Sequence, residues 1–335
     1  MSLLPFLHRV AARVDLPIGE AREAMTVLLE GGASPVEIAA FLVALRMKGE
    51  TAEEVAGFAQ AMRGQMVRVD AGADIVDNCG TGGDASGTFN ISTTASFVLA
   101  GAGAKVAKHG NRSISSATGA ADVLEALGVR VTATPEEAGK LIREIGIGFL
   151  FAPAFHPAIK HVQPVRRELK MRTVFNILGP LANPASVRRQ VLGVASVDGA
   201  ALVAEALLSL DAEHVFVVHG HGGLDEISIT GPTDVFEVHE GKITKHVWEP
   251  AHFGVARATI EDLKGGDAVL NASITRAILE GEQGPKRDVV IANAAAGLVA
   301  AGLAENLGEG VVKAAESIDS GAAWAKLQQL KERCA

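Results

Sequence analysis

Ile75-Val76-Asp77-Asn78-Cys79-Gly80-Thr81-Gly82-Gly83-Asp84, closely followed by Thr88-Phe89-Asn90-Ile91-Ser92-Thr93, decides how this chain is read. An apolar strand runs into a loop dense in glycine, and small hydroxyl and amide side chains then open a helix. Glycines let a backbone turn sharply and bring its N–H groups close to a ligand, and a helix N-terminus adds partial positive charge. Ser92 and Thr93 supply hydroxyls for phosphate oxygens or a metal. A tight turn with a helix cap is the plainer reading, but it leaves the hydroxyl-rich helix start unexplained. The loop is not a dinucleotide fingerprint, because Ala85 stands where the last glycine of that pattern falls, and it lacks the Gly-Lys-Ser/Thr ending of a P-loop.

Downstream, strands alternate with helices. Val106 marks a short strand, Ser116 to Leu127 reads as helix, and Val129-Arg130-Val131 as strand. Thr134-Pro135-Glu136-Glu137 caps another helix, and Gly148-Phe149-Leu150-Phe151 is an apolar run. Gln190 to Val194 and Val215 to Val218 read as buried strands with a helix between them, and alternation around Glu240-Gly241 reads as a hairpin. This rhythm predicts an α/β fold with a mostly parallel central sheet flanked by helices. Upstream, residues 1–69 read as helices only. Ser34-Pro35-Val36-Glu37 and Thr51-Ala52-Glu53-Glu54 have the form of capping boxes, so a small all-helical N-terminal domain is expected. Residues 157–184 are helical and basic and interrupt the alternation. They are expected to join the N-terminal helices, leaving residues 70–335 as the catalytic α/β domain.

Bulk properties narrow the function. The 335 residues are 48% hydrophobic and 21% charged, ordinary values for a globular enzyme. The net charge of −8 argues against a nucleic-acid partner. The apolar run from Val289 to Ala304 is Ala- and Gly-rich and carries Asn293, so it is expected to be a buried helix rather than a membrane span. Cys79 and Cys334 are far apart and in no metal-ligand spacing, which points to a reducing compartment, and a cytoplasmic location is expected. The N-terminus lacks the order of a signal peptide.

Further constellations carry chemistry. Lys108-His109-Gly110-Asn111-Arg112-Ser113-Ile114-Ser115-Ser116 follows a strand and precedes a helix, where open α/β sheets bind ligands. Arg172 to Pro184 holds Gly179-Pro180 and Asn183-Pro184, the mark of a rigid structural corner. Asp225-Glu226, behind the loop His219-Gly220-His221-Gly222-Gly223, is either a Mg²⁺ site or a solvated acidic pair, and the residues alone leave both open. His219 and His221 are too few for a zinc site.

Asp77-x-x-Gly80-Thr81-Gly82-Gly83-Asp84, Thr88 to Thr93, Lys108 to Ser113 and Arg172-Thr173-x-Phe175-Asn176-x-Leu178-Gly179-Pro180-Leu181-x-Asn183-Pro184 together resemble the anthranilate phosphoribosyltransferase family, in its order and spacing. The resemblance covers nearly the whole chain, including Lys48-Gly49-Glu50-Thr51, and implies the nucleoside-phosphorylase-like fold. It implies that Gly80, Gly83, Asp84, Thr88, Asn90, Ile91, Ser92, Thr93 and the loop Lys108, His109, Gly110, Asn111, Arg112, Ser113, Ile114, Ser115 and Ser116 hold phosphoribosyl pyrophosphate. Gly80, Asn111 and Arg166 would contact anthranilate; Ser92, Asp225 and Glu226 would hold two Mg²⁺ ions. His109 would be the proton acceptor, and the chain a homodimer through its N-terminal helices. Three positions depart from the family's pattern: Ala85 and Lys170 where glycine is common, and Ala120 where a phosphate-binding serine is usual. A pyrimidine nucleoside phosphorylase would share the fold but bind free phosphate. A non-enzymatic nucleic-acid-binding relative would be basic and could dispense with Asp225-Glu226. Asn111 with Arg166, and the acidic pair, favour the transferase.

Overall fold

The computed structural model describes residues 2–113 and 118–334, so Ile114, Ser115 and Ser116 lie outside the described residues. Four helices come first: α1 (Leu4–Ala11), α2 (Ile18–Leu29), α3 (Pro35–Lys48) and α4 (Ala52–Gln65). Both expected capping boxes form. Ser34 Oγ accepts from the Glu37 N–H at 3.3 Å and Thr51 Oγ1 from the Glu54 N–H at 3.3 Å. Glu54 does more than cap. Its fully buried carboxylate also accepts from the Leu16 N–H and from Lys48 Nζ, each at 3.0 Å, tying α3, α4 and the α1–α2 connection together. Gly57 lets α2 approach α4, since a Cβ there would meet Ala21 Cβ at 2.8 Å.

The rest is one seven-stranded sheet. Its strands are β1 (Ile75–Gly80), β2 (Lys105–Gly110), β3 (Ile147–Phe151), β4 (Arg189–Gly193), β5 (His214–Gly220), β6 (Thr233–His239) and β7 (Lys242–Trp248). The spatial order is β3-β2-β1-β4-β5-β6-β7, parallel through β5 and antiparallel beyond it. The β6–β7 hairpin turns through Glu240 and Gly241, both at positive φ (51° and 71°). Covering helices are α5 (Ile91–Gly101), α6 (Ala120–Ala126), α7 (Pro135–Ile145), α8 (Ala152–Phe155), α9 (Gln163–Leu169), α10 (Phe175–Leu181), α11 (Val197–Leu207), α12 (Ala268–Leu279), α13 (Pro285–Ala300), α14 (Leu307–Asp319) and α15 (Ala322–Arg333).

The pleat sorts each strand's side chains to opposite faces and so into separate cores, Ile75, Ala107 and Leu150 joining a small third one with Ile142 and Phe155. Val215 and Val217 join Leu192, Phe236 and Val238 against α4 and α11, in the core that also holds the N-terminal helices and Val165, Val174, Phe175 and Leu178 of the basic segment. Phe216 and Val218 join Val76, Val106 and Val191 against α5 and α13. Because β1 has β2 on one side and β4 on the other, the strand order reverses direction there, and a crevice opens beyond the C-terminal ends of β1 and β4.

Two local expectations are corrected. Val129-Arg130-Val131 forms no strand: Val129 and Val131 are buried, but their alternation reflects packing into the core rather than sheet pairing. Gly179-Pro180 is not a free turn but the last turn of α10, where the helix ends before the missing proline N–H matters further.

Two of the three departures from the family's pattern fall on backbone that favours glycine. Ala85 sits at φ 56°, and Lys170 caps α9 in the left-handed region at φ 48°, ψ 34°. A side chain there costs about 1–2 kcal/mol, partly offset by the smaller unfolded-state entropy of a non-glycine residue. Lys170→Gly should therefore raise stability, by about 0.5–1 kcal/mol in urea unfolding at unchanged m-value; a loss of stability would show that the lysine side chain contributes more than its backbone costs.

Candidate active site

The site forms at the ends of β1, β4 and β5. Each of these strands closes on a glycine, and at each a Cβ would collide with the segment bearing Asp225 and Glu226. At Gly80 it would meet the Asp225 carboxyl, at Gly193 the Asp225 carbonyl and at Gly220 the Glu226 carbonyl. The acidic pair is thereby laid directly over the strand ends. Gly82 and Gly83 take positive φ (73° and 72°), and the Gly82 N–H donates to Asp225 Oδ2 at 2.6 Å. Thr81 N–H donates to the Gly193 carbonyl at 2.9 Å. Glu226 Oε1 accepts from the Ser92 N–H at 3.1 Å, at the first turn of α5. Of the two readings of Asp225-Glu226, the solvated pair does not hold: Asp225 is buried.

Burial, with Glu226 and Asp84 nearby, pushes Asp225 well above the usual carboxylate range. Burial pushes Glu226 up to about 7, although Lys108 pulls the other way. Three carboxylates thus converge on one spot beside the Ser92 hydroxyl. An all-oxygen donor set with excess negative charge suits a hard divalent cation, so the residues fit Mg²⁺. Lys108 is buried behind them, with Nζ donating to the Asn78 carbonyl at 2.5 Å. Asn78 reaches α5 in turn, donating to the Ser92 carbonyl at 2.8 Å and accepting from Ser96 Oγ at 2.7 Å.

Beneath lies Asp77, fully buried and raised by that burial, with Lys108 opposing. It accepts from Asn183 Nδ2 at 2.9 Å, Gln190 Nε2 at 3.2 Å and the His109 N–H at 3.3 Å. The ring of His109 bonds the Gly179 carbonyl and lies 5.2 Å from the ring of His156, which bonds the Ala182 carbonyl. Both Nε2 atoms are buried without a hydrogen-bond partner among the described residues. Burial, then the neighbouring His156, lowers His109 to about 3, and burial lowers His156 to about 4. The Arg172–Pro184 segment, expected as a structural corner, thus supplies the two carbonyls that orient this pair and the Asn183 amide that holds Asp77.

The remaining expected residues divide. Asn90 caps α5 and is held by Asn271 Nδ2 at 2.9 Å, while its own Nδ2 donates to the Thr118 carbonyl at 3.2 Å. Ile91 and Thr93 are buried, so they offer a ligand backbone rather than side chains. Thr88 meets Ser86 Oγ at 3.1 Å, and Lys264 Nζ fixes the Ser86 carbonyl at 2.8 Å. Gly110 and the exposed Asn111 lead out of β2, and the Asn111 carbonyl accepts from Ala121 at 3.2 Å. Arg112 is committed to α6, pairing with Asp122 at 3.0 Å and Glu125 at 2.6 Å, and the Ser113 N–H donates to Asp122 at 3.2 Å. Arg166 lies 5.1 Å over the Phe175 ring and has no ion pair among the described residues, its guanidinium lowered by burial. His219 and His221 serve separate partners, the Val194 carbonyl and Thr230 Oγ1, and form no zinc pair.

Sequence reasoning passed over several residues. Arg172 donates to the carbonyls of Gly83 and Gly82 at 3.1 and 3.2 Å, gripping the glycine loop from the basic segment. His156, Lys264, Gly193 and Gly220 were equally unmarked. Only the glycine endings of two buried strands could have signalled the close approach there.

Residues 4–66 match the family model described as glycosyl transferase family, helical bundle domain, and residues 72–324 that of the glycosyl transferase family, a/b domain. The anthranilate phosphoribosyltransferase of Solibacter usitatus is 55% identical over 99% of this chain and 98% of its own length. That of Rhizobium rhizogenes is 52% identical over 98% and 97%. The crystal structure of the Thermus thermophilus enzyme superposes with a TM-score of 0.93 at 46% identity, covering 98% of each chain. The Saccharomyces cerevisiae enzyme in complex with PRPP and Mg superposes at 0.91 with 32% identity, covering 99% of this chain and 97% of that one. With its crevice at the sheet's reversal point, its paired carboxylates on a glycine loop, and relatives matched end to end, the chain belongs to the anthranilate phosphoribosyltransferase family.

Proposed function

We propose that the chain transfers the phosphoribosyl group of phosphoribosyl pyrophosphate to the amine of anthranilate. The products are N-(5-phosphoribosyl)anthranilate and pyrophosphate, and the step belongs to tryptophan biosynthesis. One observation carries this reading: Asp225 and Glu226 converge on the Gly80–Gly83 loop, next to Ser92 and the buried Lys108. The arylamine is neutral and nucleophilic at physiological pH, so no strong base is needed to start the attack on C1 of the ribose. As the C1–O bond breaks, negative charge moves onto the leaving pyrophosphate, and the Lys108 ammonium and loop N–H groups oppose it. Asp225, Glu226 and Ser92 are the residues to hold two Mg²⁺ ions, which would neutralise further charge on the pyrophosphate when bound.

His109 was expected as the proton acceptor, but an imidazole lowered to about 3 is a weak base in the free enzyme. The phosphate oxygens of the departing pyrophosphate are stronger. We therefore assign His109 and His156 to orienting the acceptor through their unpartnered Nε2 atoms. Arg166, half-buried and paired with no carboxylate among the described residues, is the partner for the anthranilate carboxylate. We infer further that residues 1–69 with 157–184 form the helical domain and residues 70–335 the catalytic one. A homodimer through the N-terminal helices is supported by the exposure of Leu4, Val36 and Met47 on α1 and α3. A cytoplasmic setting is supported by two free, buried cysteines. Among the described residues no helix is long and apolar enough to cross a membrane.

The assay is the loss of anthranilate fluorescence with phosphoribosyl pyrophosphate and Mg²⁺. Wild-type protein should turn over, and Asp225→Asn should lose about 100-fold or more in kcat/KM; a folded wild-type chain with no turnover refutes the proposal. Arg166→Ala should raise KM for anthranilate about 10- to 100-fold and leave KM for phosphoribosyl pyrophosphate within about twofold; an equal rise in both would remove Arg166 from the acceptor site.

The two histidines also set a pH dependence of stability. Their folded-state values lie below the unfolded value near 6.5, so the unfolded chain binds more protons in between. Stability should accordingly fall as pH drops from 6.5 towards 4, by at most about 1.4 kcal/mol per pH unit for each ring. Urea unfolding of His109→Asn/His156→Asn against wild type across that range checks it, the slope shrinking in the variant.

A further inference from the structure

At the other end of β5, far from the phosphate loop, a second cluster has no part in the transfer. β5 and β6 are antiparallel neighbours, and His214 stands directly opposite His239. Their rings stack at 4.1 Å with 17° between planes. Glu237 lies two residues before His239 on β6, on the same face of the pleat. Its Oε1 is 2.8 Å from His214 Nε2, and its Oε2 is 2.8 Å from His246 Nε2 on β7. One donor atom from each of His214, Glu237 and His239 lies within 4.8 Å of the other two, and among the described residues this is the only group of three or more His, Cys, Asp or Glu side chains of that kind. The His239 ring makes no hydrogen bond to the protein among the described residues, so its nitrogens are free to bind.

We propose that His214, Glu237 and His239 bind a divalent transition-metal ion of the zinc class, with His246 orienting Glu237 from the far oxygen. Two imidazoles and one carboxylate form a donor set that zinc, cobalt and nickel accept, whereas Mg²⁺ prefers oxygen alone. The His246 bond to Oε2 resembles the outer hydrogen bonding that holds metal ligands in place, while the His214 Nε2–Oε1 hydrogen bond gives way when the ion binds between them. Cross-strand pairing keeps the two rings side by side, and a turn of the rings out of their stack brings one nitrogen of each onto a shared ion. Arg189, which acts electrostatically on His214, is ion-paired to Glu213 and does not stand as an unmatched positive charge beside the cluster. Phe216, 4.8 Å from the His214 ring, and Trp248, 6.3 Å from the His246 ring, line its apolar side.

The test uses full-length protein without a histidine tag, in excess Mg²⁺ to occupy the carboxylates of the transfer site. Zn²⁺ is titrated against a chromophoric chelator, and Cu²⁺ quenching of Trp248 fluorescence is followed in parallel. One Zn²⁺ per chain should bind with Kd of about 10 µM or tighter. His239→Asn and His214→Asn should each weaken it about 10-fold or more and abolish the quenching, with phosphoribosyl transfer changed less than about twofold. His239 is exposed, so its variant is the one to rely on should His214→Asn fold poorly. Absence of stoichiometric zinc binding by the wild type, or equal affinity in the His239→Asn protein, would overturn the assignment.

Discussion

Three neighbouring strands end in glycine because another stretch of backbone needs the room. With a Cβ at Gly80, Gly193 or Gly220, the segment carrying Asp225 and Glu226 could not settle over the strand ends. Everything in the crevice follows from that approach. Asp225 reaches the Gly82 N–H, Glu226 reaches the first turn of α5, and the glycine loop is drawn between them. Parallel strands make this possible, since β1, β4 and β5 all point their C-terminal ends to the same side.

The close approach concentrates like charge, and the layers below are built to tolerate it. Lys108 is shared electrostatically between Asp77 and Glu226, so one buried ammonium faces both the inner and the outer carboxylate. Asp77 has no ion-pair partner among the described residues, but Asn183, Gln190 and the His109 N–H surround it with donors. A buried carboxylate without such donors would cost several kcal/mol. The same network joins β1, β2 and β4 with the segment after α10, so that the crevice rests on a layer of buried, mutually bonded polar residues.

Much of this was legible in residues 75–93 and 108–113, because glycine, hydroxyl and cation types repeat there in a short span that no plain turn requires. The sheet was legible from the apolar runs at 190–194 and 215–218, whose burial on both faces leaves no polar alternation to confuse them. Val129 and Val131 misled because burial in a loop and burial in a strand leave the same trace. Arg172 and His156 were missed for a different reason. Each acts through a contact with residues far away in the chain, and nothing adjacent to them marks it. The Arg172–Pro184 segment read as architecture, and it is architecture, but of the site itself.

Arg172 illustrates how a cation can shape a loop through its backbone alone. Its guanidinium holds the carbonyls of Gly82 and Gly83 on one side of the loop. In a planar trans peptide the N–H points opposite to the carbonyl, so fixing those two oxygens aims the N–H groups of Gly83 and Asp84 the other way. The loop acquires a polarity, one edge facing the basic segment and the other a row of donors facing the crevice. A flexible pair of glycines, which on their own could turn in either sense, is magnetised like a compass needle by a side chain anchored ninety residues downstream.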